Sequence, residues 1–201
     1  MKPVVIVAGL GRCGTTLTMN MLVAGGIPGV GSAPAYEPPE IQNPTAEWLD
    51  AQAGHALKIL DPHVAGVPRM SLTSAPRRVI WIDRDVRQQT RSQAKMAVAM
   101  LGVPPLNRHA LLRWEASLHG DRRDARRALI AAGCTIKREF RFEQLLADPE
   151  TVARKLADWL RPDFGDLDEV AMASVVIPRP PQCAPDMSLE LRLIQQHRSA
   201  A

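Results

Sequence analysis

The sequence predicts an α/β domain of three layers, α/β/α, around a mainly parallel central sheet. Two apolar runs carry that expectation: Pro3-Val4-Val5-Ile6-Val7-Ala8 and Arg78-Val79-Ile80-Trp81-Ile82-Asp83. Both are continuous rather than alternating, as strands covered on both faces are, and parallel strands are covered because their crossovers pack on the sheet. The third observation is the order of elements. Short β-rich runs alternate with longer segments of helical period, the pattern that parallel strands joined by crossover helices require. At 201 residues the chain is long enough for one domain with a full core.

Each element has its own signal. The first strand, 3–8, breaks at Gly9, and residues 15–24 form the first helix. Residues 27–47 are rich in Pro and Gly and read as an irregular loop. Residues 56–60, Ala-Leu-Lys-Ile-Leu, form a second short strand, and 78–83 a third. A helix then runs from about residue 85 to residue 101, stopped by Gly102 and Pro104. The next helix spans 107–132, with Leu111, Trp114, Leu118, Ala125 and Leu129 along one side and Gly133 as its stop. Residues 135–140 form a fourth strand. Asp148-Pro149-Glu150 starts a further helix, with Asp as cap and Pro in the first turn, and Val152, Leu156, Trp159 and Leu160 face inward. After Ile177 the prolines 178, 180, 181 and 185 break regular structure. The organisation expected is a domain over 1–177 and a Pro-rich tail over 178–201, with a short helix around 189–197.

Composition narrows the setting. No apolar run approaches the roughly 20 residues of a membrane span. Lys2 precedes too short an apolar stretch for an export signal, so the start reads as a core strand. Cys13, Cys134 and Cys183 lack metal-ligand spacing and fit a reducing cytoplasm. The net charge is +4, and Arg108, Arg113, Arg122, Arg123, Arg126 and Arg127 crowd one segment. With no aromatic residues interleaved for base stacking, that run reads as the solvated face of a helix and not as a nucleic-acid surface.

Residues 9–17 read Gly9-Leu10-Gly11-Arg12-Cys13-Gly14-Thr15-Thr16-Leu17, between a buried strand and a helix. Such a loop cradles an anion. Glycine lets backbone N–H groups converge, and the helix N-terminus adds partial positive charge. Three motifs share these residues. Gly9 to Gly14 has Walker A spacing, but Thr15 stands where the lysine of the β/γ-phosphates belongs, which argues against an ordinary ATPase or GTPase. The same glycines spell G-x-G-x-x-G, yet residues 25–40 hold too much Gly and Pro for the acid-terminated strand a dinucleotide site needs. The third pattern is a basic residue, a small residue, Gly and two threonines: Arg12-Cys13-Gly14-Thr15-Thr16.

That segment resembles the 5′-phosphosulfate loop of sulfotransferases, enzymes that use 3′-phosphoadenosine 5′-phosphosulfate (PAPS). Their donor has no β/γ-phosphate chain, so the cation sits earlier in the loop; Cys13 stands where the family usually has serine. A second resemblance lies at Arg84, beside the third strand, and Ser92, eight residues on. In the family such a pair grips the donor's 3′-phosphate. Eight helical residues rise about 12 Å, a span that an arginine fork, a phosphate and a serine hydroxyl bridge. Val86 and Gln88 replace the Pro and Asp often found between them. Third, residues 140–149, Phe-Arg-Phe-Glu-Gln-Leu-Leu-Ala-Asp-Pro, look like the family's Tyr-Glu-Asp-Leu-x-x-Asp-Pro segment, with Phe142 for Tyr and Gln144 for Asp. Its structural task is to end a strand and start a capped helix. The resemblance runs from residue 3 to about 177 and is closest to compact bacterial sulfotransferase-like proteins. It implies a P-loop nucleotide-binding fold, PAPS as the sulfuryl donor and 3′-phosphoadenosine 5′-phosphate as the product.

Sulfuryl transfer is an in-line displacement through a loose transition state. It needs charge neutralised on the leaving oxygen, the equatorial oxygens held, and a proton accepted from the attacking group. The resemblance assigns donor binding to Gly11, Arg12, Cys13, Gly14, Thr15, Thr16, Arg84 and Ser92, with Arg179 of the tail as a further reach toward the 3′-phosphate. Arg12 also serves the chemistry. One branch of the family uses the histidine of a Lys-Thr-His segment; the matching place here is Lys58-Ile59-Leu60, so that histidine is absent. Another branch uses a glutamate of the loop after the first helix, which points to Glu37, with Glu40 as the alternative. Lys58 stabilises the leaving phosphate. Asp61 and His63 stand nearby as further acid–base candidates. No carboxylate pair for magnesium is evident, and no metal is expected. The acceptor is a hydroxyl or amine of a small molecule or glycan, walled by loops 27–47, 61–77 and 102–107. The alternative functions are a non-catalytic nucleotide-binding protein of the same fold and a P-loop small-molecule kinase.

Overall fold

The computed structural model describes residues 1–177 of the chain. The expected tail, with its short helix, Arg179 and Cys183, lies outside the described residues. Among those described, four strands form one sheet: β1 (Val4–Gly9), β2 (Ala56–Leu60), β3 (Arg77–Asp83) and β4 (Thr135–Arg141). The order is β2-β1-β3-β4 and every pair is parallel. β1 is buried along its whole length, as its unbroken apolar sequence demands.

Residue parity sends the strands' side chains to two separate cores. Val5, Val7, Ile80 and Ile82 face α1 (Thr15–Ala24) and the later helices. Val4, Ile6, Ala8, Val79 and Trp81 face the opposite layer. That layer contains α2 (Ala46–Ala51), α3 (Pro62–Ala65) and the long α5 (Arg108–Ala131), which contributes Leu118, Ala125 and Leu129. Each such aliphatic side chain, fully buried, stabilises the fold by roughly 1.5–3 kcal/mol. Leu111 and Trp114, expected on the same stripe, are only partly buried, with Trp114 packed against this core from its margin. α4 (Val86–Leu101) is capped by Asp85, which accepts from the backbone N–H of Gln88 at 3.0 Å, and ends at Gly102 with φ 64°.

The segment expected to end a strand and start one helix makes two. α6 (Phe142–Ala147) intervenes before α7 (Pro149–Phe164), and Asp148 caps α7 by accepting from the N–H of Thr151 at 3.1 Å. α8 (Glu169–Ser174) completes the layer with α1 and α7. The loop 27–47 contains a 3-10 turn at Pro39–Gln42, and its last residues begin α2. Its first part borders the sheet: Val30 N–H donates to Ala56 O, and Ala56 N–H to Pro28 O, both at 2.8 Å, beside a bridge of Gly29 with Ala56.

One consequence of this winding positions the site. The chain leaves β1 toward the α1 face, and leaves β3 toward the α5 face. Where neighbouring parallel strands diverge in this way, a crevice opens beyond their carboxyl ends, and ligands of open α/β sheets bind there. The glycine-rich loop and Arg84 both sit at that divergence.

Candidate functional site

The loop after β1 is built tightly. Gly9 lies against β3: an added Cβ would stand 2.6 Å from the carbonyl oxygen of Ile82 and would also meet the Cys13 sulfur. The loop then turns through Arg12 at φ 67° and Gly14 at φ 107°, two left-handed residues that let successive N–H groups converge. Cys13 N–H donates to Leu10 O at 3.2 Å, and the Gly14 carbonyl accepts from both the N–H and the hydroxyl of Thr18, closing the loop onto α1. From outside, the amides of Gln89 and Gln93 on α4 both donate to the Gly11 carbonyl, at 2.8 and 2.9 Å. The Gly11 N–H points the other way, to the carboxylate of Asp61. Gly14 rests on the ring of Phe142.

Two groups of candidate side chains surround this loop. In the first, Lys58 of β2 is 3 % exposed and its Nζ donates to the Thr16 hydroxyl at 3.1 Å. The same ammonium pairs with Glu37 at 2.5 Å. Burial lowers the pKa of Lys58 below its ordinary value, and the Glu37 carboxylate works against that. In the second, Arg12 Nε donates to the Ser92 hydroxyl at 3.0 Å, and Arg84 donates to the Arg12 carbonyl at 3.1 Å. The Arg84 guanidinium lies over the Phe142 ring, 4.4 Å from its centroid, a cation–π arrangement. Arg84 and Ser92 therefore both meet Arg12, one through its backbone and the other through its side chain.

The expected residues are thus brought together, with differences. Gly11, Arg12, Gly14 and Thr16 line the loop, with Glu37 and Lys58 beside Thr16, and Arg84 and Ser92 on the other flank. Cys13, expected among the donor-binding residues, keeps its backbone in the loop while its side chain is buried. Its sulfur packs in the core beneath Gly9, it accepts from the Thr15 N–H, and burial pushes the thiol up to about 12. Thr15 is itself buried at 3 % exposure. Glu40 lies in the 3-10 turn, exposed. Asp61 is held at φ 46°, and burial raises its carboxyl above the ordinary aspartate value, with Glu37 and Asp121 adding to the effect and His63 opposing it.

The arginine-rich stretch is corrected. Arg108, Arg113, Arg123 and Arg127 are exposed, as a solvated face requires, but Arg122 and Arg126 turn inward. Arg126 lies over Trp81 at 4.7 Å and pairs with Glu139 at 2.8 Å. Arg122 pairs with Asp83 at 3.0 Å. The signal was present in the spacing: 122 follows Leu118 by four and precedes Ala125 by three, so it lies on the apolar stripe. Gln89 and Gln93, four residues apart on α4, carried no comparable mark.

A scan against protein-family models found no match, and searches of curated proteins and of solved structures found none either.

Proposed function

We propose that the protein is a sulfotransferase that moves a sulfuryl group from PAPS to an acceptor hydroxyl or amine, through a P-loop type donor site. The observation that carries this reading is the Lys58 ammonium on the Thr16 hydroxyl. In a Walker loop the hydroxyl at that place ligates magnesium. Here a buried cation from β2 holds it, which suits transfer of a group that carries no metal-bridged polyphosphate.

The residues also fit a donor with two separated anions. The loop's left-handed turn and the start of α1 suit one anion. Arg84 and Ser92, across Arg12, suit the other. When bound, PAPS supplies an activated sulfuryl group for in-line displacement. Arg12 and the loop N–H groups hold oxygens on the transferred group. Lys58 and Thr16 neutralise charge that gathers on the departing oxygen. Glu37 accepts the proton of the attacking hydroxyl or amine. The pairing of Glu37 with Lys58 links these two tasks. A carboxylate that gains a proton loosens its hold on the ammonium, and frees it for the departing oxygen as charge builds there.

Among the described residues no helix is long and apolar enough to cross a membrane. We place the reaction in the cytoplasm, with a small molecule or glycan as acceptor and no nucleic-acid partner.

Calorimetry with 3′-phosphoadenosine 5′-phosphate tests the reading. Arg84→Ala should weaken binding at least about tenfold, since losing a charge-assisted contact costs about 1.5–3 kcal/mol. Magnesium-ATP binding as tightly as this bisphosphate would replace the reading with a small-molecule kinase. Tight bisphosphate binding without release of product from PAPS across phenols, amines and glycans would identify a non-catalytic nucleotide-binding protein.

A further inference from the structure

Arg122 belongs to the arginine-rich stretch of α5 and has no part in the donor-binding set named above. Its side chain is 15 % exposed and reaches the carboxyl ends of the sheet. One guanidinium nitrogen pairs with Asp83 at 3.0 Å, donates to Gln89 Oε1 at 2.7 Å, and donates to the backbone carbonyl of Arg84. Asp83 in turn accepts from the Arg84 N–H at 2.9 Å. Both backbone polar groups of Arg84 are therefore held by one ion pair. The amide of Gln89, fixed at its oxygen by Arg122, donates from its nitrogen to the Gly11 carbonyl at 2.8 Å.

We propose that Arg122 is a positioning residue that holds the two anion subsites in register, through the Arg84 backbone on one side and through Gln89 and the Gly11 carbonyl on the other. The inference rests on the donor-site reading above. Its physical basis is preorganisation: groups that must meet two anions on one ligand need their spacing set before the ligand arrives. A half-buried cation with a carboxylate and two oxygen acceptors is held more firmly than a surface pair, because its bonds are charge-assisted and shielded from water.

The test measures binding of 3′-phosphoadenosine 5′-phosphate and of adenosine 5′-monophosphate by calorimetry, with folding checked by circular dichroism. Arg84→Ala should weaken the bisphosphate much more than the monophosphate, whose loop its side chain touches at the Arg12 carbonyl. Arg122→Ala should weaken both ligands, each by about tenfold, the scale of one charge-assisted contact. Arg122→Lys, which keeps the charge, should restore most of both. Gln89→Leu leaves the ion pair with Asp83 intact and should weaken both ligands, which share the 5′-phosphate, by a smaller factor. Unchanged affinity of folded Arg122→Ala for both ligands, beside a clear loss in Arg84→Ala, would overturn the inference and leave the donor-site reading standing. If Arg122→Ala does not fold, unchanged monophosphate binding by Gln89→Leu overturns it instead. No loss in Arg84→Ala removes the donor-site reading, and the inference with it.

Discussion

Lys58 and Asp61, three residues apart, both carry a cost of burial, with opposite signs of pH dependence. For Lys58 the folded pKa is lowered from 10.5, so the charged form is penalised at neutral pH and stability rises as pH climbs toward 10.5. Replacing both members of a buried ion pair by apolar side chains is often neutral or stabilising, whereas removing one leaves the other uncompensated, and Lys58 is paired with Glu37. The double variant Lys58→Met with Glu37→Leu should therefore melt at or above wild type at pH 7, with the difference shrinking in wild type's favour toward pH 10.5, while transfer falls about 100-fold or more. A variant that melts far lower with proportionate activity would mark the pair as structural. For Asp61 the folded pKa is raised from 3.8 by burial, so ionisation costs stability above the raised value. Asp61→Asn keeps an oxygen for the Gly11 N–H. It should melt higher than wild type at pH 7, and the gain should vanish as pH falls toward 3.8. Thermal melts at several pH values check this, and a gain independent of pH would refute it.

At the scale of elements, the loop between β1 and α1 shows what local sequence encodes. The start of α1 at Thr15 and the bounds of β2 agree with expectation, and β3, α4, α5 and β4 differ by about a residue at their ends. Gly and Pro punctuation, caps and unbroken apolar runs are local signals, so they survive without tertiary knowledge. The short helices α2, α3, α6 and α8 were not legible, since one turn or two of helix has no period long enough to stand out and forms on packing. The glycines of the loop had a further meaning that only packing reveals. Gly9 is small because β3 passes behind it. Gly9→Ala should cost about 3 kcal/mol in urea unfolding, since its methyl meets a backbone oxygen that cannot move aside cheaply. A loss under 0.5 kcal/mol, within the usual range of surface changes, would contradict that packing.

For the molecule as a whole, the site is a long-range construction. Arg12 meets Ser92, and Gly11 meets Gln89 and Gln93, across 78 to 82 residues of chain. Spacing within one motif could nominate Arg12, Arg84 and Ser92, but no periodicity encodes that they converge on one another. The same limit hid Phe142, which touches both Gly14 and Arg84 from a helix that the sequence did not announce. Ligand binding should therefore act on segments distant in sequence. Saturating 3′-phosphoadenosine 5′-phosphate should slow amide hydrogen exchange together at 10–16 and 84–93, and leave β4 and the middle of α7 unchanged, because local opening follows local contacts. Protection confined to the loop alone would show that the flank carrying Arg84 takes no part.

The two borders of the sheet are finished differently. β4 meets solvent with Lys137, Arg138 and Glu139, charges that discourage another strand from adding there. β2 is hemmed by the chain's own Pro28–Val30 stretch, and only a few residues later that stretch delivers Glu37 to Lys58. Between the hem and the carboxylate, residues 31–35 are fastened at both ends and largely outside the cores. Such a segment is an insertion point for diversification: its length and composition could be randomised in a library to recruit new chemistries while the sheet and its border stay as they are.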